Sequence, residues 1–109
     1  MTTQVMTIDF AKIEGPVYTG RDRGERLRDD LHLDHLDISA DVIEVRIPDS
    51  TYTISSSFFL GLFGPSVVKA GSKEAFYRRY HFQSPAFLAE VMDSYVARAL
   101  QTRNLFACR

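Results

Sequence analysis

Segments with strand periodicity and segments with helix periodicity take turns along this chain. That alternation limits the folds open to it more than any other feature. Residues 41–48 read DVIEVRIP. Val42, Glu44 and Arg46 fall on one side of an extended chain, and Ile43, Val45 and Ile47 on the other, which predicts a half-buried strand. Residues 4–13 (QVMTIDFAKI) predict another strand, ended by Gly15-Pro16. Tyr80-His81-Phe82 predicts a third, and residues 51–54 a short strand or extended return. Helical spacing takes over between them. Gly24, Leu27 and Leu31 mark a thin apolar stripe on a first helix with Thr19 as its cap, and charged residues, Arg21, Arg23, Arg26 and Arg28 among them, cover the rest. Phe58, Phe59, Leu62 and Phe63 predict a second helix, buried on most sides, in which Gly61 permits close backbone approach. Gly64-Pro65 ends or kinks it, leaving residues 66–70 as a second short piece. A helical turn opens at Ser72. Ser84 and Pro85 start a last amphipathic helix, residues 86–101, with Leu88, Val91, Met92, Tyr95, Val96, Ala99 and Leu100 on its apolar face. Residues 32–37 (HLDHLD) read as a polar connection. Strands alternating with helices imply an α/β layer with a partly parallel sheet.

At 109 residues the expectation is one domain spanning residues 1–109. The net charge of −1 gives no electrostatic footprint for nucleic acid or a membrane surface, and the basic residues, Arg78 and Arg79 included, are offset by acids. No run approaches the ~20 apolar residues of a membrane span, and no signal peptide is visible, so a cytoplasmic location is expected. The single cysteine, Cys108, can form neither an internal disulfide nor a metal cluster. His32 and His35 in the HLDHLD segment lack a third ligand, so no metal and no cofactor is expected. Neither GxGxxG nor GxxxxGK[ST] occurs, which argues against a nucleotide-hydrolysing core. GxSxG is absent too. A triad of Ser56, His81 and Asp49 rests on spacing alone, so the chain is read as non-enzymatic, with a small serine/histidine hydrolase as the alternative.

Three consecutive hydroxyls, Ser55, Ser56 and Ser57, stand between the extended residues 51–54 and the apolar block that starts at Phe58. A serine at a helix start accepts a hydrogen bond from a backbone N–H of the first turn, worth about 1 kcal/mol. That accounts for one serine. The same position suits a phosphate, because the N–H groups and the helix dipole favour negative charge. All three are candidates for phosphorylation or partner contact.

The run from Val42 to Ile47, the stretch from Thr53 to Pro65 (TISSSFFLGLFGP) and the earlier YTGRDRGERL from Tyr18 resemble the STAS-like domains, small bacterial relatives of the anti-sigma-factor antagonists and of the sulfate-transporter domain. Gly71-Ser72-Lys73-Glu74-Ala75-Phe76 and Tyr80-His81-Phe82 resemble that group's approach to its third strand. The resemblance covers about residues 4–101. It implies an α/β fold with an about four-stranded mixed sheet and helices packed mainly on one face. It also implies a protein–protein interaction module of bacterial signalling. In the antagonists, a partner kinase of the GHKL ATPase type phosphorylates the middle serine of Asp-Ser-Ser-Gly. The overlay places Ser56 at that serine, with Ser55 in place of the aspartate and Phe58 in place of the glycine. The expected partner is thus a protein, a GHKL-type kinase or ATPase in the first instance. A homodimer, or an unswitched homo-oligomeric building block, is the remaining alternative.

Overall fold

The computed structural model describes residues 5–13 and 17–107, with side chains described as far as residue 101. In chain order the elements are β1 (Val5–Asp9), a single 3-10 turn (Phe10–Lys12), β2 (Val17–Tyr18), α1 (Arg21–Leu31), α2 (Leu33–Ser39), β3 (Val42–Arg46), β4 (Thr53–Ile54), α3 (Ser56–Ala70), α4 (Lys73–Arg79), β5 (Tyr80–Gln83) and α5 (Ala86–Ala107). The class is α/β. The sheet, however, is not the four-stranded mixed one expected. β1, β3 and β5 form a three-stranded sheet in the order β1-β3-β5, and β2 and β4 form a separate two-stranded ladder. Every pairing is parallel.

The split has a local cause. Asp9 turns the chain out of β1 by accepting from the Ala11 N–H at 2.9 Å, so residues 10–13 of the expected first strand leave the ladder. Pro48 has no N–H to give to a ladder, and its carbonyl instead closes a turn by accepting from Thr51 N at 3.0 Å. Beyond these two excursions the segments meet again, Val17 beside Thr53 and Tyr18 beside Ile54.

Register gives the three-stranded sheet two unlike faces. Ile8, Val45 and Phe82 align across the strands, as do Met6, Ile43 and Tyr80. Ile43 and Val45 are wholly buried on this face. On the other, Thr7, Arg46, His81 and Gln83 are exposed and Val42 and Glu44 half-buried. Helices therefore cover one face, whereas most parallel sheets are covered on both.

α3 is the spine of the core. Phe58, Phe59, Leu62, Phe63 and Val67 are all buried, and α1 and α5 flank the helix. α1 crosses it backbone to backbone. A Cβ on Gly24 would lie 2.3 Å from the Phe58 carbonyl oxygen, and one on Gly61 2.6 Å from that of Arg21. Both glycines are thus required by the crossing. α3 also continues through Pro65, where an end or a kink was expected, so the helix does not end there. A proline inside a helix costs about 3 kcal/mol, but each buried Phe, Leu or Val returns roughly 1.5–3 kcal/mol. Gly64 helps as well, since it has no Cβ to meet the proline ring.

Other boundaries moved less. Gly20, not Thr19, occupies the cap position of α1. Residues 32–37 are no loop. His32 takes a left-handed conformation (φ 54°) between α1 and α2, and α2 buries Leu33 and Asp37. Ser72 caps α4, its Oγ accepting from Ala75 N at 3.1 Å. α5 outlasts its expected end, and Val91 is partly exposed rather than core. Among the described residues no helix is long and apolar enough to cross a membrane.

Candidate functional site

The serine trio lies where the β2–β4 ladder passes into α3. Two bonds fix the backbone there. Ser55 N donates to the Tyr18 carbonyl at 2.8 Å, and the Tyr95 hydroxyl donates to the Ile54 carbonyl at 3.0 Å. Ser55 is extended and is the N-cap, its Oγ accepting from Phe58 N at 3.1 Å. Its hydroxyl is therefore occupied. An aspartate would serve the same way, since Asp and Ser are comparable caps. Ser56 is half-buried and Ser57 exposed. Neither side chain forms a hydrogen bond to a described residue.

The electrostatics of this ledge favour an anion. α3 has no acidic residue in its first turn, so its partial positive charge is uncompensated by side chains. The Arg23 guanidinium lies over Tyr18 and Phe58, 5.2 and 5.7 Å from their ring centroids, and donates to the Val17 carbonyl at 2.9 Å. Phe58, Phe59 and Phe63 themselves are core, each 1% exposed. With Phe58 sealed, its side chain offers no surface to a partner.

A groove lies further along α3. On α3, residues 57, 60, 61, 64 and 68 share one side of the helix by their spacing. Leu60, Gly64 and Val68 form the floor of a groove of about 800 Å³ that α1 and Ala99 of α5 border. Val68 is 39% exposed. Arg21, Glu25, Asp29 and Lys69 stand round the groove, and among the described residues none of the four forms an ion pair. An apolar floor within an uncommitted polar rim matches the anatomy of a protein–protein contact.

A second polar cluster is internally paired. Arg28, expected on a solvated face, is 6% exposed, and Asp37 is 4% exposed. Arg28 Nη1 donates to the Leu62 carbonyl and to Ser66 Oγ, both at 2.8 Å, while Nη2 reaches Asp34 at 2.7 Å and Asp37 at 3.1 Å. Ser66 Oγ donates to Asp37 Oδ2 at 2.7 Å and the Tyr80 hydroxyl to Oδ1 at 2.6 Å. Arg79 donates to the Asp37 carbonyl. Burial first, and the bond to Asp37 second, hold the Tyr80 phenol far above its ordinary range, so it stays protonated and donating. The cluster ties α1, α2, α3 and β5 together with every member paired. One signal of it was present in the sequence: Arg28 is four residues from Gly24 and three from Leu31, on the apolar stripe itself.

The remaining candidates are not brought together. His81 Nε2 contacts the Arg78 carbonyl at 3.1 Å on an exposed stretch, and no hydrogen bond links it to Ser56 or Asp49. His32 and His35 are exposed, and both acids beside them, Asp34 and Asp37, serve Arg28. Among the described residues no three His, Cys, Asp or Glu side chains converge as a metal site would need. Cys108 lies outside the described residues. Comparison with protein-family models, with curated proteins and with solved structures finds no match to this chain, so the functional argument rests on the site itself.

Proposed function

We propose that the protein is a non-catalytic, STAS-like interaction module whose partner surface is the serine ledge together with the groove further along α3. One observation carries the reading. Two hydroxyls without partners among the described residues stand at the positive end of α3, and an apolar groove edged by the charged residues Arg21, Glu25, Asp29 and Lys69 lies further along that helix. In this reading Ser55 builds the ledge, Ser56 is the residue modified, and Ser57 is the contact nearest the groove. Phosphorylation at Ser56 adds roughly −1.5 to −2 charge. The α3 N-terminus accommodates that charge without unfolding the domain, and it alters the surface that the partner meets. A kinase of the GHKL ATPase type is the partner that the resemblance suggests.

Titration against such an ATPase from the native host tests the reading. Ser56→Glu and Val68→Lys are each expected to abolish binding while leaving the melting temperature within about 3 °C, as surface changes worth less than ~0.5 kcal/mol should. Hydrolysis of a model ester that Ser56→Ala abolishes would replace the proposal with an enzyme. A stable dimer indifferent to both Ser56→Glu and Val68→Lys would replace it with a building block.

A further inference from the structure

A second crevice lies away from the serine ledge, at one edge of the three-stranded sheet. β5 is the last strand in the order β1-β3-β5, and beside it a space of about 440 Å³ opens between α4, β5 and α5. An apolar cavity of ~150 Å³ is enough to hold benzene, and pockets for small molecules run from about 300 to 1,000 Å³. Phe59 and Met92 are its buried floor, 1% and 3% exposed. Tyr77 and Phe82, both half-buried, are its aromatic sides, and the exposed Ala89 stands at its mouth.

Two features decide what fits. The first is an aromatic cluster that stops at this space. The rings of Phe63, Phe76, Tyr80, Tyr77 and Phe82 pack together, with neighbouring centroids 4.7 to 6.5 Å apart. The first three are buried. The last two border the crevice and meet nearly at right angles (79°), their centroids 6.3 Å apart. Rings favour edge-to-face or offset neighbours at about 4.5–7 Å, so one more ring seated against this pair continues the packing of the core. The second feature is the Asp93 carboxylate, whose side chain is 48% exposed. Its Oδ1 accepts from the Tyr77 hydroxyl and its Oδ2 from Lys73 Nζ, both at 2.8 Å. Each carboxylate oxygen can accept twice, which leaves room for a donor from a ligand. Lys73 already balances the charge, so a cationic ligand gains little there, and an anionic one would meet the carboxylate. Among the described residues His81 is the one basic side chain lining the space, and its Nε2 is engaged with the Arg78 carbonyl at 3.1 Å.

We propose that this crevice binds a small uncharged aromatic compound bearing an N–H or O–H donor, its ring packed against Tyr77 and Phe82 and its donor on the Asp93 carboxylate. Indoles and phenols share that chemistry. The proposal is independent of the serine reading, since Tyr77, Phe82, Ala89 and Asp93 belong to neither the ledge nor its groove.

The test uses the full chain and two variants: Ala89→Trp, which blocks the mouth from an exposed position, and Asp93→Ala, which removes the acceptor. Indole and phenol are titrated under amide NMR, beside their methylated analogues 1-methylindole and anisole and the charged analogues tryptamine and indole-3-acetate. Saturable binding of indole or phenol is expected, with the largest shifts at Tyr77, Phe82 and Ala89. The methylated analogue, which has lost the donor, should bind at least tenfold more weakly than its parent, and in Asp93→Ala that gap should close. Ala89→Trp should weaken binding at least tenfold with its melting temperature unchanged. Any of four results would overturn the proposal. Neither indole nor phenol saturates, a charged analogue binds more tightly than indole, the gap between parent and methylated analogue is absent or survives in Asp93→Ala, or folded Ala89→Trp binds as wild type does.

Discussion

Replacing Gly24 by alanine adds one methyl group where α1 crosses α3, and the geometry fixes the sign of the effect. In an exposed helix this substitution stabilises by up to about 1 kcal/mol, because alanine loses less backbone entropy than glycine. Here the new carbon would lie 2.3 Å from the Phe58 carbonyl oxygen and 3.0 Å from Leu62 N. Both are backbone atoms of a helix packed on its other sides by buried aromatic rings, so neither can rotate aside. The two helices must separate by most of an ångström to restore ordinary contact, loosening the packing of Phe58 and Leu62. Overpacking of this kind costs about 1–3 kcal/mol and sometimes more. Taking the upper part of that range and subtracting the propensity gain leaves a net loss of about 2 kcal/mol. For a domain of this size that corresponds to a fall of roughly 8 °C in melting temperature. Gly61→Ala should behave alike, since its Cβ would meet the Arg21 carbonyl at 2.6 Å. Urea denaturation followed by circular dichroism reads the midpoint, with Glu90→Ala on the exposed side of α5 as the control. A Gly24→Ala protein as stable as wild type would refute the close crossing, and with it the placement of α1 beside the groove.

Asp37→Ala leaves the buried Arg28 with a single ion pair, to the exposed Asp34. Breaking a buried pair in this way is expected to cost about 3–5 kcal/mol, read as a lower urea midpoint, whereas Asp34→Ala should cost under about 1 kcal/mol. Ser55→Ala should lose about 1 kcal/mol with the cap, while Ser57→Ala should stay within about 0.5 kcal/mol of wild type in the same assay. Hydrogen bonds from Lys73 first, and from Tyr77 second, hold the Asp93 carboxyl below its ordinary range. Its contribution is therefore fully present above the unfolded value of about 3.9 and disappears as pH falls through the lower folded value. Melting curves of wild type and Asp93→Asn should differ most at neutral pH and converge in strong acid. A gap that widens on acidification would reverse the sign.

Periodicity carried the sequence reading furthest where one face of an element is buried. β3 was visible in VIEVRI because its alternation is strict, and α5 because its apolar residues repeat at helical spacing. Gly61 could be read as a point of close approach because an interior glycine weakens a helix unless something needs the space. What escaped were features set by distant partners. β1 ends at Asp9 rather than Ile13 because a side chain caps the turn that follows, and Phe10 is buried in either conformation. α3 continues past Pro65 because core packing outweighs a local penalty that spacing alone registers as a stop. Arg28 and Asp37 read as surface charges because each is buried only by virtue of the other and of Ser66 and Tyr80, tens of residues away. The serine ledge lies at an element junction, which local signals mark well. Its groove depends on α1 and α5 meeting α3, which no local signal announces.

Intact-mass analysis of the protein isolated from its native host, with and without phosphatase and with peptide mapping, tests the central claim most directly. The account predicts a population one phosphate heavier that phosphatase removes and that maps to Ser56. A phosphate confined to any site outside the trio, or a chain that remains unmodified while its ATPase partner is bound and active, would contradict it.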